Sequence, residues 1–208
     1  MSAPVSRAYH AAAVVIPARD QGEQLRACLS AALTAALCAP IPVTIVVVLD
    51  DCGDGSAELA GEYGPDVHFI SIDVHNAGAA RAVGFGYALF EDDTACWYAT
   101  ADAASRVDPG WLAHQLGLGA DMVLGTTNRI QGVNLGFGAR AYWGVGGFRT
   151  LPYGEDVDLA KRFKAAGYRI HRDTELSVIT SAQTHAKTPH EFAHHLTHLG
   201  RSAAGDCA

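Results

Sequence analysis

The sequence predicts an α/β fold: one domain built on a Rossmann-like mixed sheet, mostly parallel and flanked by helices. Three observations carry this. Short apolar runs of strand length recur at residues 11–16, 43–49, 67–72, 96–101 and 121–125. Stretches with helical spacing of apolar residues separate them, and the connections are short. With 208 residues, the chain has room for one sizeable core and not for two comfortable domains.

Residues 11–16 (AAAVVI) read as a strand buried on both faces and ended by Pro17. Leu25, Leu29, Leu33 and Leu37 then recur every four residues, which predicts a helix with one apolar stripe, closed by Ala39 and Pro40. The run VTIVVVL at 43–49 is the second strand, and it stops at Asp50 and Asp51. Asp54, Gly55 and Ser56 offer a turn and cap for a short helix ending near Gly61. After a third strand at 67–72, Asn76-Ala77-Gly78 opens a helix with an apolar stripe at Ala80, Val83, Tyr87 and Phe90. The fourth strand, 96–101, ends in a lone carboxylate, Asp102. Asp108 as cap and Pro109 at the first helical position then start a helix carrying Trp111 and Leu112.

The second half breaks the rhythm. Residues 126–147 are rich in glycine and read as a strand or loop with close backbone approaches, then a short helix at 140–145. A helix is predicted over 155–166, ended by Gly167. Short strands at 168–170 and 176–180 and a last helix at 189–199 complete the chain.

Composition narrows the class. The net charge is −7 and no basic run occurs, so a nucleic-acid surface is not expected. The cysteines, Cys28, Cys38, Cys52, Cys96 and Cys207, are odd in number with no close pair, which suits a reducing compartment. No apolar run reaches the roughly 18 residues that span a bilayer. The short apolar run after Arg7 has no convincing cleavage site, so a cytoplasmic location is expected.

If the sheet is parallel, the tips of the first, second and fourth strands share one edge. They carry Arg19 with Asp20, Asp50 with Asp51, and Asp102. That edge is where open α/β sheets bind ligands, although a turn-forming role would also account for Asp102. Asp156, Leu159, Phe163 and Ala166 share one helical face, which turns Asp156 inward from the first turn. The helix dipole accounts for Glu155 and Asp158; an inward Asp156 instead suits a cleft and the work of a general base. The segment NAGAARAVG, residues 76–84, combines exposed amides with Arg81 and suits a pyrophosphate. The G-x-G-x-x-G dinucleotide spacing is absent from the first strand–helix turn.

Six segments follow in order: VVIPARDQGEQL, VVVLDDCGDGS, NAGAARAVGF, TADAASRVDPGWL, GVNLGFGARAYWGVGGF and YGEDVDLAKRFKAAGYRI. Over residues 14–180 this ordered set resembles the family 2 glycosyltransferases of the GT-A fold. The resemblance implies inverting transfer of a sugar from a nucleotide-diphosphate donor to an acceptor hydroxyl. Residues 11–125 would then be the nucleotide-binding half of the 1–208 domain, and residues 126–208 the acceptor and catalytic half. Carried over by position, Pro17, Ala18, Arg19 and Glu23 would frame the nucleoside, with Asn76 and Gly78 also on the donor side. Asp50 would contact the base, and Arg81 would face the ribose or diphosphate. Asp102 would be the first acid of the D-x-D motif. Asp156 would be the general base, with Glu155 beside it in the E-D pair.

One departure matters. Ala104 stands where the family has its second D-x-D acid, and a methyl group cannot coordinate Mg²⁺ or Mn²⁺. Three readings follow: a divalent cation held weakly by Asp102, the donor phosphates and a later group such as His185; a site that uses arginines with little or no metal; or a site that binds but turns over slowly. The first is the expectation carried forward. A nucleotidyltransferase is the alternative enzyme class, disfavoured because that chemistry has no evident role for a base on the E-D helix. A degenerate nucleotide-sugar binding protein is the alternative that Ala104 keeps open.

His190-Glu191-Phe192-Ala193-His194 matches H-E-x-x-H, the zinc metalloprotease pattern. A metzincin's third histidine would fall at Gly200, which cannot ligate. Only fourteen residues follow His194, too few for a helix carrying a downstream glutamate ligand. A surface helix packing through Phe192, Leu196 and Leu199 is the expectation instead.

Overall fold

The computed structural model describes residues 9–88, 95–127 and 133–180. Its strands are β1 (Ala11–Ala18), β2 (Val43–Asp50), β3 (Val67–Ile72), β4 (Cys96–Ala101), β5 (Ser105–Arg106), β6 (Met122–Thr127), β7 (Asn134–Gly138) and β8 (Ile170–Thr180). The helices are α1 (Gly22–Leu37), α2 (Ala77–Tyr87), α3 (Trp111–Gly117), α4 (Ala139–Gly144) and α5 (Glu155–Ala165), with a 3₁₀ turn over Ser56–Gly61.

The strands form one sheet in the order β3-β2-β1-β4-β7-β6-β8-β5. β1 pairs in parallel with β2 and β4, and β2 with β3, so the tips of β1, β2 and β4 do share an edge. β7 enters antiparallel between β4 and β6, and β8 lies parallel to β6. The central strands bury both faces. On β1, Val14 and Ile16 pack with Leu25, Leu29, Trp97 and Trp111 under α1 and α3. Val15 packs on the other side with Val48, Phe85, Tyr98 and Phe137. This two-sided burial is why β1 and β2 read as unbroken apolar runs.

Several expectations change. β1 does not end at Pro17, which pairs with Val48; pairing with β4 stops at Val15, so one flank of Pro17 is open. The buried stripe of α1 is Leu25, Cys28, Leu29, Ala32 and Ala35, and Leu37 is 87% exposed. Leucines every four residues advance 400°, so they drift about 40° per step around the helix. The stripe expected on α2 is also displaced. Ala80 is buried, but Val83 and Tyr87 are exposed, and the inner face is Gly78, Ala80, Arg81, Gly84 and Phe85. A side chain at Gly84 would collide with Val15 and Val48, so glycine there lets α2 press against the sheet. Ala166 is the exposed C-cap of α5 and not part of its buried face. The two short strands expected at 168–170 and 176–180 are one strand, β8, with a register shift opposite Gly125 and Thr126. Phe90, Gly132, Cys207 and the helix expected at 189–199 lie outside the described residues.

Candidate active site

The shared strand edge is built around Asp50. This buried carboxylate at the end of β2 accepts the backbone N–H groups of Val74 (2.8 Å), His75 (2.9 Å) and Asn76 (2.9 Å). Burial pushes its pKa up, but the three amides and the nearby Arg19 charge outweigh that and hold it below the ordinary carboxylate range. The bonds fix the bend after β3, where His75 sits at φ +50°. Asp54 ties a second bend. Its carboxylate accepts the Gly22 amide at the start of α1 (2.7 Å) and the Ser56 hydroxyl (2.5 Å).

Asn76 carries the bend into α2. Its Oδ1 accepts the Ala79 amide (2.9 Å) as N-cap, and its Nδ2 donates to the Leu151 carbonyl (2.7 Å). That second bond brings the segment before α5 against the first turn of α2. Gly78 is required there, because a Cβ would run into the Arg149 carbonyl and press on Glu155.

Arg81, one turn further on, is 2% exposed. Its Nη2 donates to Asp102 Oδ1 at 2.6 Å, and its Nη1 donates to Glu155 Oε1 at 2.5 Å. The guanidinium lies 5.6 Å above the Phe148 ring centroid. Its Nε has no hydrogen-bond partner among the described residues. Arg81 is buried, and both arms of its fork are taken by carboxylates. Asp102 completes its own shell with the Val133 amide, which donates to Oδ2 at 2.8 Å. Behind it, the Cys28 thiol meets the Asp102 carbonyl at 3.6 Å, and burial pushes that thiol's pKa up to about 12.

The acids that open α5 separate by partner. Glu155 is held by Arg81. Asp158 pairs with Arg162 at 2.8 Å, with Arg149 at 3.7 Å. Asp156 has no ion-pair partner among the described residues. Desolvation raises its pKa; the Glu155 charge adds to this, while neighbouring backbone amides and the Arg81 charge oppose it.

The structure therefore brings Asp50, Asn76, Gly78, Arg81, Asp102, Glu155 and Asp156 into one connected region. Ala18 is buried and Pro17 and Arg19 half-buried at the tip of β1, while Glu23 is exposed on the first turn of α1. His185 and the H-E-x-x-H segment lie outside the described residues. Sequence reasoning missed the Val133 amide and Phe148, neither of which carries a spacing signal. The position of Gly78 was a signal for the close approach of the segment before α5.

The described residues do not make a cation site at the D-x-D position. Both oxygens of Asp102 already accept protein donors, and Ala104 presents a buried methyl. Asp51, Asp73 and His75 bring three ligand atoms within 4.8 Å of one another, but on the exposed rim at the tips of β2 and β3. There His75 already faces Asp73 at 2.8 Å and Asp51 at 3.5 Å.

Comparison with known proteins shows the family and the fold. The family described as Glycosyl transferase family 2 matches residues 13–168. The chain belongs to glycosyl transferase family 2. As a glycosyltransferase of the GT-A fold, it superposes on the mannosyltransferase PcManGT from Pyrobaculum calidifontis, solved with GDP-Man and Mn²⁺. That match has a TM-score of 0.70 at 16% identity, over 99% of this chain and 67% of that one. S. aureus TarS 1–349 with UDP-GlcNAc gives 0.66 at 13% identity, over 95% of this glycosyltransferase and 68% of TarS 1–349. Against the longer S. aureus TarS structure the glycosyltransferase spans 40% of the chain. No curated protein sequence matches closely enough to count as a relative. Among the described residues, no helix of the glycosyltransferase is long and apolar enough to cross a membrane.

Proposed function

We propose that this glycosyltransferase inverts configuration, moving a sugar from a nucleotide-diphosphate donor to an acceptor hydroxyl with Asp156 as general base. The observation that carries the reading is the environment of Asp156. Among the described residues it is the α5 acid without a counter-ion, one residue from Glu155, which the buried Arg81 ties to the strand-tip acid Asp102. A base must take the acceptor proton as the new bond forms, and desolvation raises the proton affinity of this carboxylate. Glu155 is consumed by Arg81 and does not compete for that role.

On the donor side, the strand tips, Asn76 and Asp102 frame the nucleotide, and Asp50 acts by shaping the bend that carries Asn76. Nucleotide sugars are the donors bound by the mannosyltransferase and TarS structures, which supports the same donor class here. A divalent cation like the one in the mannosyltransferase would have to be held by donor phosphates and by groups outside the described residues, such as His185. The segment ahead of α5 faces the acceptor side.

A panel of nucleoside diphosphates and nucleotide sugars tests the reading by thermal unfolding. At a ligand concentration a hundredfold above Kd, binding adds about 2.7 kcal/mol and raises Tm by about 5–11 °C. Turnover of the stabilising sugar nucleotide, even slow hydrolysis, then separates an enzyme from a binding protein. No shift with any nucleoside diphosphate would overturn the reading.

A further inference from the structure

We propose that this chain binds its nucleotide donor without help from a divalent cation, because Asp102 is committed to Arg81. The proposal rests on the donor-site reading above. A cation coordinated at Asp102 must compete with two donors already in place, the Arg81 fork at 2.6 Å and the Val133 amide at 2.8 Å. Arg81 cannot swing aside. It is buried, its other arm is fixed to Glu155 at 2.5 Å, and the Phe148 ring lies against it. A divalent ion at Asp102 would therefore sit a few ångströms from a fixed positive charge in a poorly screened site.

The neighbouring positions offer no second ligand. Ala103 and Ala104 are buried alanines, and Ser105 is fully buried with its amide donating to the Asp102 carbonyl at 2.8 Å. Mg²⁺ and Mn²⁺ want several oxygen donors, which this turn does not supply. Among the described residues, the one group of three metal-ligating side chains is Asp51, Asp73 and His75, at the tips of β2 and β3 and apart from Asp102. Charge compensation for the diphosphate then falls to protein cations. Arg19 at the tip of β1 and the exposed Arg149 ahead of α5 are placed at this end of the sheet.

The test is calorimetric titration of the full chain with UDP and GDP, in excess EDTA and in excess Mn²⁺. The expected result is a Kd that changes by less than about threefold between the two conditions for the nucleotide that binds. Binding that weakens by about tenfold or more in EDTA overturns the proposal and leaves the donor-site reading standing. Binding in neither condition overturns both. A second measurement is the Mn²⁺ electron paramagnetic resonance signal without nucleotide. The unmodified chain should leave that signal unchanged. A broadened signal in the unmodified chain that His185→Ala abolishes would count against the proposal.

Discussion

Asp50 and Asp156 are carboxylates at the same end of one sheet, and their surroundings are opposite. Asp50 accepts three backbone amides and is held below its usual pKa. Asp156 is without a counter-ion among the described residues, and desolvation moves it upward. A carboxylate saturated with fixed donors has little capacity left for a proton, so it serves as a structural tie. A desolvated carboxylate keeps its proton affinity, which a general base requires. Arg81 stands between these extremes, since it pairs with Asp102 and Glu155 and forms no ion pair with Asp156.

The largest effect that would break this contrast is expected at Arg81. Arg81→Met leaves Asp102 and Glu155 facing each other without a cation, and loss of one partner of a buried ion pair costs about 3–5 kcal/mol. Chemical denaturation measures this; a loss near zero would show that the guanidinium is not the tie. Asp50→Asn comes next. The side-chain amide keeps one oxygen acceptor for three donors, so at least one amide is stranded, at about 1–3 kcal/mol. Nucleotide affinity should fall with it, as the bend that carries Asn76 loosens. An unchanged midpoint would separate Asp50 from the bend.

The pH responses should run in opposite directions. The depressed pKa of Asp50 gives stability that is fully present above its unfolded pKa and is lost as pH falls through the folded one. The raised pKa of Asp156 gives the reverse: ionising it costs stability, a cost absent below the unfolded pKa and complete once pH has risen past the folded one. Asp156→Asn should therefore be as stable as the unmodified chain or more so at neutral pH, whereas Asp50→Asn should be less stable. The smallest effect is at Glu155. Its charge raises Asp156, so Glu155→Gln should move the acid limb of kcat/KM to lower pH. A limb that moves up or stays fixed would place another group in control.

Much of the fold was legible, for physical reasons that differ by region. β1, β2 and β4 bury both faces, and such strands print themselves as apolar runs. β7 does not, because its sequence NLGFG uses Gly136 to admit Gln115 and Trp97 at close range. β8 carries charged and polar residues along much of its length, and only its register with β6 shows that it is one strand. In the candidate site, the placement of Asp102 at a strand tip and of Asp156 on the helical face of Leu159 and Phe163 was legible in the sequence. The burial of Arg81 was not. Its partner Glu155 lies 74 residues away, and the bond to Val133 is made by a backbone group that has no sequence signature.

The most direct test of the account compares turnover and nucleotide affinity in Asp156→Asn, using the nucleotide sugar that best stabilises the unmodified chain. Loss of a general base predicts a fall in kcat of about 10²–10⁴-fold, with nucleotide Kd unchanged within about threefold. Turnover equal to that of the unmodified chain would contradict the assignment of Asp156 and, with it, the reading of α5 as the catalytic element.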